Sequence, residues 1–206
     1  VIIKLAPDSD CNMLTNKDTT NRNKNITLIG GTWDYDHLNQ NTGGDLKTMA
    51  IFFKGVDNIT FKNMKMKNAK KYCFLICDFT KLTVNDIVFD TYSDGLHMQG
   101  PGRDIDIRNL KGTTGDDMIS FTIGDFEHYE VSRGDFENVV IDGVYPDQAL
   151  CALKLAGNAP YKFKNFSAQN LYGRTTASGI SIIDDSNLVG TIIEGLTLRN
   201  IGIAAT

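Results

Sequence analysis

The chain has 206 residues, 41% of them hydrophobic and 22% charged, with a formal net charge of −4 at pH 7. That balance lies near the average of soluble folded proteins and excludes a disordered chain. The acidic excess argues against a nucleic-acid-binding surface, which needs clustered Lys and Arg, and no apolar run reaches the length of a membrane span.

The chain opens at Val1 with no signal-peptide pattern and closes inside an apolar alternation, Leu196-Thr-Leu-Arg-Asn-Ile-Gly-Ile203. Both ends are therefore expected to be cut from a longer protein. Between them one pattern recurs: apolar-x-apolar-x-(Asn, Asp or Gly)-apolar. It begins, with its last position degraded, as Ile26-Thr-Leu-Ile-Gly-Gly31. It continues as Ile59-Thr-Phe-Lys-Asn-Met64, Leu82-Thr-Val-Asn-Asp-Ile87, Ile105-Asp-Ile-Arg-Asn-Leu110, Val139-Val-Ile-Asp-Gly-Val144, Tyr161-Lys-Phe-Lys-Asn-Phe166 and Leu196-Thr-Leu-Arg-Asn-Ile201. The starts are 33, 23, 23, 34, 22 and 35 residues apart.

Period-two alternation with β-branched and aromatic residues predicts strands with one buried face. A unit of 22 or 23 residues holds about three short strands and their turns, and leaves no room for a crossover helix. The Asn, Asp or Gly at the fifth position tolerates left-handed backbone, so the chain bends there. Such coils bury their inner faces only against neighbours. The predicted fold is all-β: a right-handed parallel β-helix, a three-stranded solenoid, forming one domain over residues 1–206. The longer spacings predict loops inserted at about 32–48 and 123–134.

The repeat also works as a ruler. Fourteen residues after the first apolar position stand Cys73, Leu96, Ile119 and Leu153, which are expected to point inward. One residue on come Phe74, His97, Ser120 and Lys154, expected to face outward and stack about 5 Å apart. Two residues before the inward position come Lys71, Asp94, Asp117 and Cys151, with Asp116 next to Asp117 and Ser93 next to Asp94. Three carboxylates thus gather on one face with a histidine, a serine and a lysine. Like-charge repulsion raises carboxyl pKa values, and glycosidic cleavage needs one carboxylic acid beside ionised carboxylates. Gly115-Asp-Asp117 and Ser93-Asp-Gly95 are also ordinary turn sequences, so both readings stand at this point.

Ser93-Asp-Gly-Leu-His97, followed one coil later by Thr114-Gly-Asp-Asp-Met-Ile-Ser120, resembles the polygalacturonase family of glycoside hydrolases, within the pectin-lyase-like superfamily. The resemblance implies that Asp116 is the general acid and that Asp94 and Asp117 activate water, with inversion. The family's substrate-binding Arg-Ile-Lys aligns with Lys154-Leu-Ala156, which keeps one cation and replaces the other. Ser93 stands where the family has Asn, and His97 where it usually has an acid. The Gly-His-Gly coil has no counterpart; the insertion Ile123-Gly-Asp-Phe-Glu-His-Tyr-Glu-Val-Ser-Arg133 stands near its place. His97, Ser120, Lys154, His128 and Tyr129 are the candidate substrate-binding residues. No cofactor and no metal are implied.

Related β-helix depolymerases include phage tailspikes and tail appendages, some acting on teichoic acids. The resemblance therefore also suggests a cell-surface polysaccharide or teichoic-acid substrate, an extracellular or virion location and a homotrimeric assembly, with no nucleic-acid partner and no membrane insertion. The alternatives are a non-catalytic adhesion or receptor-binding β-helix, and a lyase, which would need calcium. Trp33 and Tyr35 are candidates for stacking on sugars or for covering a coil end, and Phe126 shares that ambiguity. Asp34, Asp36 and His37 could suggest a metal site, but three ligands in a loop are weak evidence for one. Cys11, Cys73, Cys77 and Cys151 lack Cys-x-x-Cys spacing; the paired Cys73 and Cys77 are expected to pack.

Overall fold

A computed structural model describes residues 1–16, 18, 20–41, 46–124, 129–157, 159–184 and 190–206. In chain order the strands are β1 (Ile2–Lys4), β2 (Leu14–Thr15), β3 (Asn23–Ile29), β4 (Thr32–Asp34), β5 (Ile51–Lys67), β6 (Phe74–Asp90), β7 (Leu96–Thr113), β8 (Ile119–Ile123), β9 (Phe136–Gln148), β10 (Cys151–Gly157), β11 (Lys162–Thr175), β12 (Ser178–Asp184) and β13 (Ile192–Ala205). A 3-10 turn, His37–Asn39, lies between β4 and β5. All strand pairing among the described residues is parallel. The protein is the parallel β-helix that its repeat predicts.

The long strands are not straight. β5, β6 and β7 each run through bends and contribute to successive faces of the solenoid. The bends fall where the repeat places them. Its seven fifth positions all have positive φ, from 52° at Asn165 to 87° at Gly143. Asn and Asp adopt this backbone at lower cost than other side-chain-bearing residues because they bond locally. Their amides also bond from coil to coil: Asn109 Nδ2 donates to Asp86 at 3.1 Å and Asn200 Nδ2 to Asn170 at 3.0 Å.

Two alignments differ from the sequence expectation. Phe166, not Tyr161, pairs with Val139 and Leu196. The sixth repeat is therefore Phe166-Ser-Ala-Gln-Asn170-Leu171, with coil offsets of 27 and 30 residues in place of 22 and 35. Asn165 produced the false match. It also has left-handed backbone, but its amide bonds Asn138, in a second column of bends. The other difference lies at the first ruler position. Phe74, not Cys73, pairs with Leu96, and Leu75 with His97. The register shifts between Cys77 and Phe79, because β7 carries one extra residue around Gly100-Pro101. Phe74 accordingly points into the core, where it is fully buried, and does not face outward.

The interior is a continuous apolar column. Ile59, Leu82, Ile105, Val139 and Phe166 follow one another up the stack, each at most 2% exposed. Full burial of such side chains is worth roughly 1.5–3 kcal/mol apiece. Phe136 sits at an aromatic junction, 6.4 Å from Phe79, 5.1 Å from Phe121 and 5.7 Å from Phe163 between ring centroids. Of the expected insertion at 32–48, Thr32–Asp34 is a regular strand paired with β1 and β5. The remaining described residues lead into the 3-10 turn and on to Met49.

Trp33 packs against the core and donates to the Gly30 carbonyl at 3.2 Å, while Tyr35 is fully buried. Phe126 lies outside the described residues. Cys73, Cys77 and Cys151 are buried thiols and Cys11 an exposed one, and none of the four is in a disulfide among the described residues.

Candidate active site

The two motif turns stack directly. Gly95 N–H donates to the Asp117 carbonyl at 2.9 Å, and Cys73 N–H to the Asp94 carbonyl at 3.0 Å. This close approach requires glycine. A Cβ on Gly95 would stand 2.7 Å from the Met118 carbonyl oxygen, and one on Gly115 would stand 2.3 Å from that of Tyr92. The main chain of Asp116 is pinned separately. Its carbonyl accepts from Thr114 Oγ1 at 2.8 Å and from Leu150 N–H at 2.9 Å.

These turns bring one oxygen each of Asp94, Asp116 and Asp117 within 4.8 Å of one another. His97 donates from Nδ1 to Asp94 Oδ2 at 2.6 Å, since an ionised carboxylate can only accept. Its Nε2 lies 3.3 Å from Thr122 Oγ1. Its ring stacks on Tyr72, with centroids 3.9 Å apart and planes 7° apart. Lys154 Nζ holds Asp117 Oδ2 at 3.2 Å. Ser120 stands in register between His97 and Lys154. The column is therefore on the outward side of the sheet as expected, but it is covered. Asp94 and His97 are each 3% exposed, Asp117 1% and Ser120 0%, whereas Asp116 is half-buried.

The cover comes from the loops. Tyr129 leans on Tyr72 at 5.8 Å, and together with Val131 packs against the cluster Met49, Tyr72, Leu75 and Cys77. Gln99 fastens this loop: its amide donates to the Tyr129 carbonyl at 2.6 Å and accepts from Val131 N–H at 2.7 Å. His128 lies outside the described residues. At the rim Tyr92 is 56% exposed and its ring meets that of His37 at a tilt of 42°, with centroids 3.9 Å apart. Asp34 and Asp36 are engaged elsewhere, by Asn68 at 2.8 Å and Lys4 at 3.0 Å.

Sequence reasoning missed Tyr72, Thr122 and Gln99. Tyr72 lies opposite Asp94 only because of the one-residue shift near Gly100-Pro101, and that dipeptide was the available signal.

Burial, followed by the charge of Asp94, pushes Asp117 up to about 6, against the pull of Lys154. The same two causes raise Asp116. Burial acts to lower Lys154, but its carboxylate neighbours, Asp117 foremost, hold it above the usual lysine range. Protons in such a cluster belong to the group as a whole. Asp116 Oδ1, Asp117 Oδ1 and Ser120 Oγ have no hydrogen-bond partner among the described residues. Buried polar atoms left without protein partners are those that a ligand or water satisfies. The three carboxylates are close enough to grip a divalent ion, yet Lys154 and His97 already give two of them a counter-charge or donor.

The raised carboxyl of Asp117 has a measurable consequence. Between its ordinary value of 3.8 and about 6, the folded state holds a proton that the unfolded chain has lost. Its contribution to stability is complete below that window and declines as pH rises through it. Asp117→Asn removes the titration. Its stability relative to the parent is expected to rise by up to about 3 kcal/mol between about pH 4 and about pH 7, measured by urea unfolding. A difference that does not vary with pH would contradict the assignment.

A family model for glycosyl hydrolases family 28 matches residues 18–144. No curated protein and no solved structure matches the chain. The matched segment holds both motif turns and ends before the coil that carries Lys154. The chain belongs to glycosyl hydrolases family 28 and is a glycoside hydrolase of the polygalacturonase type.

Proposed function

We propose that the cluster hydrolyses glycosidic bonds within a polysaccharide, with Asp116 as general acid and with Asp94 and Asp117 activating the attacking water. One observation carries this reading: three carboxylates converge, and two of them keep an oxygen without a hydrogen-bond partner among the described residues. Asp116 is the most exposed of the three and has a raised pKa, as a proton donor to a leaving oxygen needs. Asp94 and Asp117 are recessed, each with one oxygen bonded to His97 or Lys154. That favours their orienting a water over attacking carbon themselves. Inversion follows, although the oxygens lie closer together than the carboxyl spacing typical of inverting enzymes.

The sequence resemblance adds a setting: a cell-surface polymer such as a capsular polysaccharide or teichoic acid, degraded outside the cell or by a phage tail appendage assembled as a trimer. Both levels are tested by incubating the protein with a panel of plant, capsular and cell-wall polymers and identifying the new ends by mass spectrometry. A reducing sugar end, released first as the inverted anomer in NMR spectra, is the expected product. A phosphate end would replace the glycosidic reading with phosphodiester hydrolysis. An unsaturated end, lost in excess EDTA, would make the protein a lyase.

A further inference from the structure

The charges flanking the carboxylates are unevenly distributed. On the C-terminal side Lys154 is committed to Asp117. The positions paired with Lys154 and Ala156 on the next coil are Ser181 and Ile183, both neutral. The N-terminal side is basic. Burial, followed by the charge of Lys70, lowers the pKa of His37. Lys71 directly precedes Tyr72, the residue opposite Asp94, and its charge reaches Asp116. Its ammonium lies 4.5 Å from the Tyr129 ring centroid and 5.4 Å from that of Tyr72. The side chain is half-exposed, and among the described residues it meets no carboxylate within ion-pair distance. A cation beside two aromatic rings, whose charge reaches the half-exposed carboxyl of Asp116 and which has no ionic partner among the described residues, has charge available for a ligand.

We infer that Lys71 is a specificity-determining residue: it binds the carboxylate of a uronic-acid unit seated on the N-terminal side of Asp94, with Tyr129 beside the same unit. The C-terminal side, floored by Ala156, Ser181 and Ile183, takes an uncharged unit or an uncharged face. Charge recognition thus lies on the opposite side of the catalytic carboxylates from the coil where the Arg-Ile-Lys comparison looks for it. This rests on the hydrolytic reading above. Lysine suits the role as a mobile point charge, and the neighbouring rings limit where it can move.

The test uses an oligogalacturonide and the same oligomer after carboxyl reduction, which removes charge and keeps the sugar ring. Binding is measured by titration calorimetry to Asp116→Asn protein, with and without Lys71→Met. The lysine change is expected to weaken uronide binding about tenfold, as loss of one charge-assisted contact does. Affinity for the reduced oligomer should stay within about twofold of its starting value, and Lys71→Arg should keep uronide affinity within about threefold. In the active protein, Lys71→Met should raise KM for the uronide and leave kcat within about twofold. Equal losses on both oligomers would make Lys71 a packing residue only, and no loss on either would remove it from the site. Either result overturns the inference, as does a parent that binds neither oligomer. A parent that binds the uronide through Lys71 but never cleaves it overturns the hydrolytic reading alone.

Discussion

Asp116→Asn should reduce polymer cleavage by about a thousandfold or more while leaving fold and binding close to the parent, the loss expected when a positioned proton donor is removed. Asn keeps the size and the hydrogen-bonding oxygen of Asp but has no acidic proton for the leaving group. The fold should tolerate the change because the turn is held through the main chain. It is the Asp116 carbonyl, not its side chain, that accepts from Thr114 and Leu150. The carboxyl Oδ1 has no hydrogen-bond partner among the described residues, so little structure depends on it. Release of new reducing ends measures activity, and thermal unfolding with oligomer binding provides the controls. A variant that cleaves at the parent rate would move the acid role to Asp117, whose carboxyl already sits near 6.

Phe136→Ala should destabilise the protein by about 3–5 kcal/mol, the range for deleting a buried aromatic ring. The ring is fully buried and contacts aromatic neighbours from three other strands, Phe79 in β6, Phe121 in β8 and Phe163 in β11. Interior atoms held on all sides by strand pairing have little freedom to collapse into the space left behind. The hole would open between the strands that follow the turns of Asp94 and Asp117 and the coils above, so activity should fall with stability. Urea unfolding of parent and variant gives the number. A loss below about 1 kcal/mol would mean that neighbouring rings close the gap, contrary to the packing seen here.

The repeat was legible because its causes are local. Alternation places side chains on two faces, and Asn, Asp or Gly at the bend accepts positive φ; both act within a few residues. All seven bend residues singled out from sequence do bend, including Asn165, although it belongs to the other column. That error shows the limit of a local pattern: Tyr161-Lys-Phe-Lys-Asn-Phe166 matches it, and only pairing with Asn138 and Val139 reveals its register. Asp94, Asp117, Ser120 and Lys154 could be aligned because the ruler holds across β7, β8 and β10. Tyr72 could not, since one extra residue in β7 changes the offset to β6. Nor could the burial of His97, which depends on loop residues brought from outside the repeat to cover it.

The changing coil offsets carry an evolutionary consequence. Successive coils are 23 residues apart at Asp86 and Asn109, and 34 apart at Asp104 and Asn138, yet in both pairs the amide ladder closes with the same geometry. Length is absorbed in the connecting loops and the bends are preserved. Insertions and deletions in those loops can therefore be inherited without disturbing the spacing of Asp94 and Asp117. Descendants of such a chain are free to acquire new substrates by changing loop length while their catalytic chemistry stays fixed.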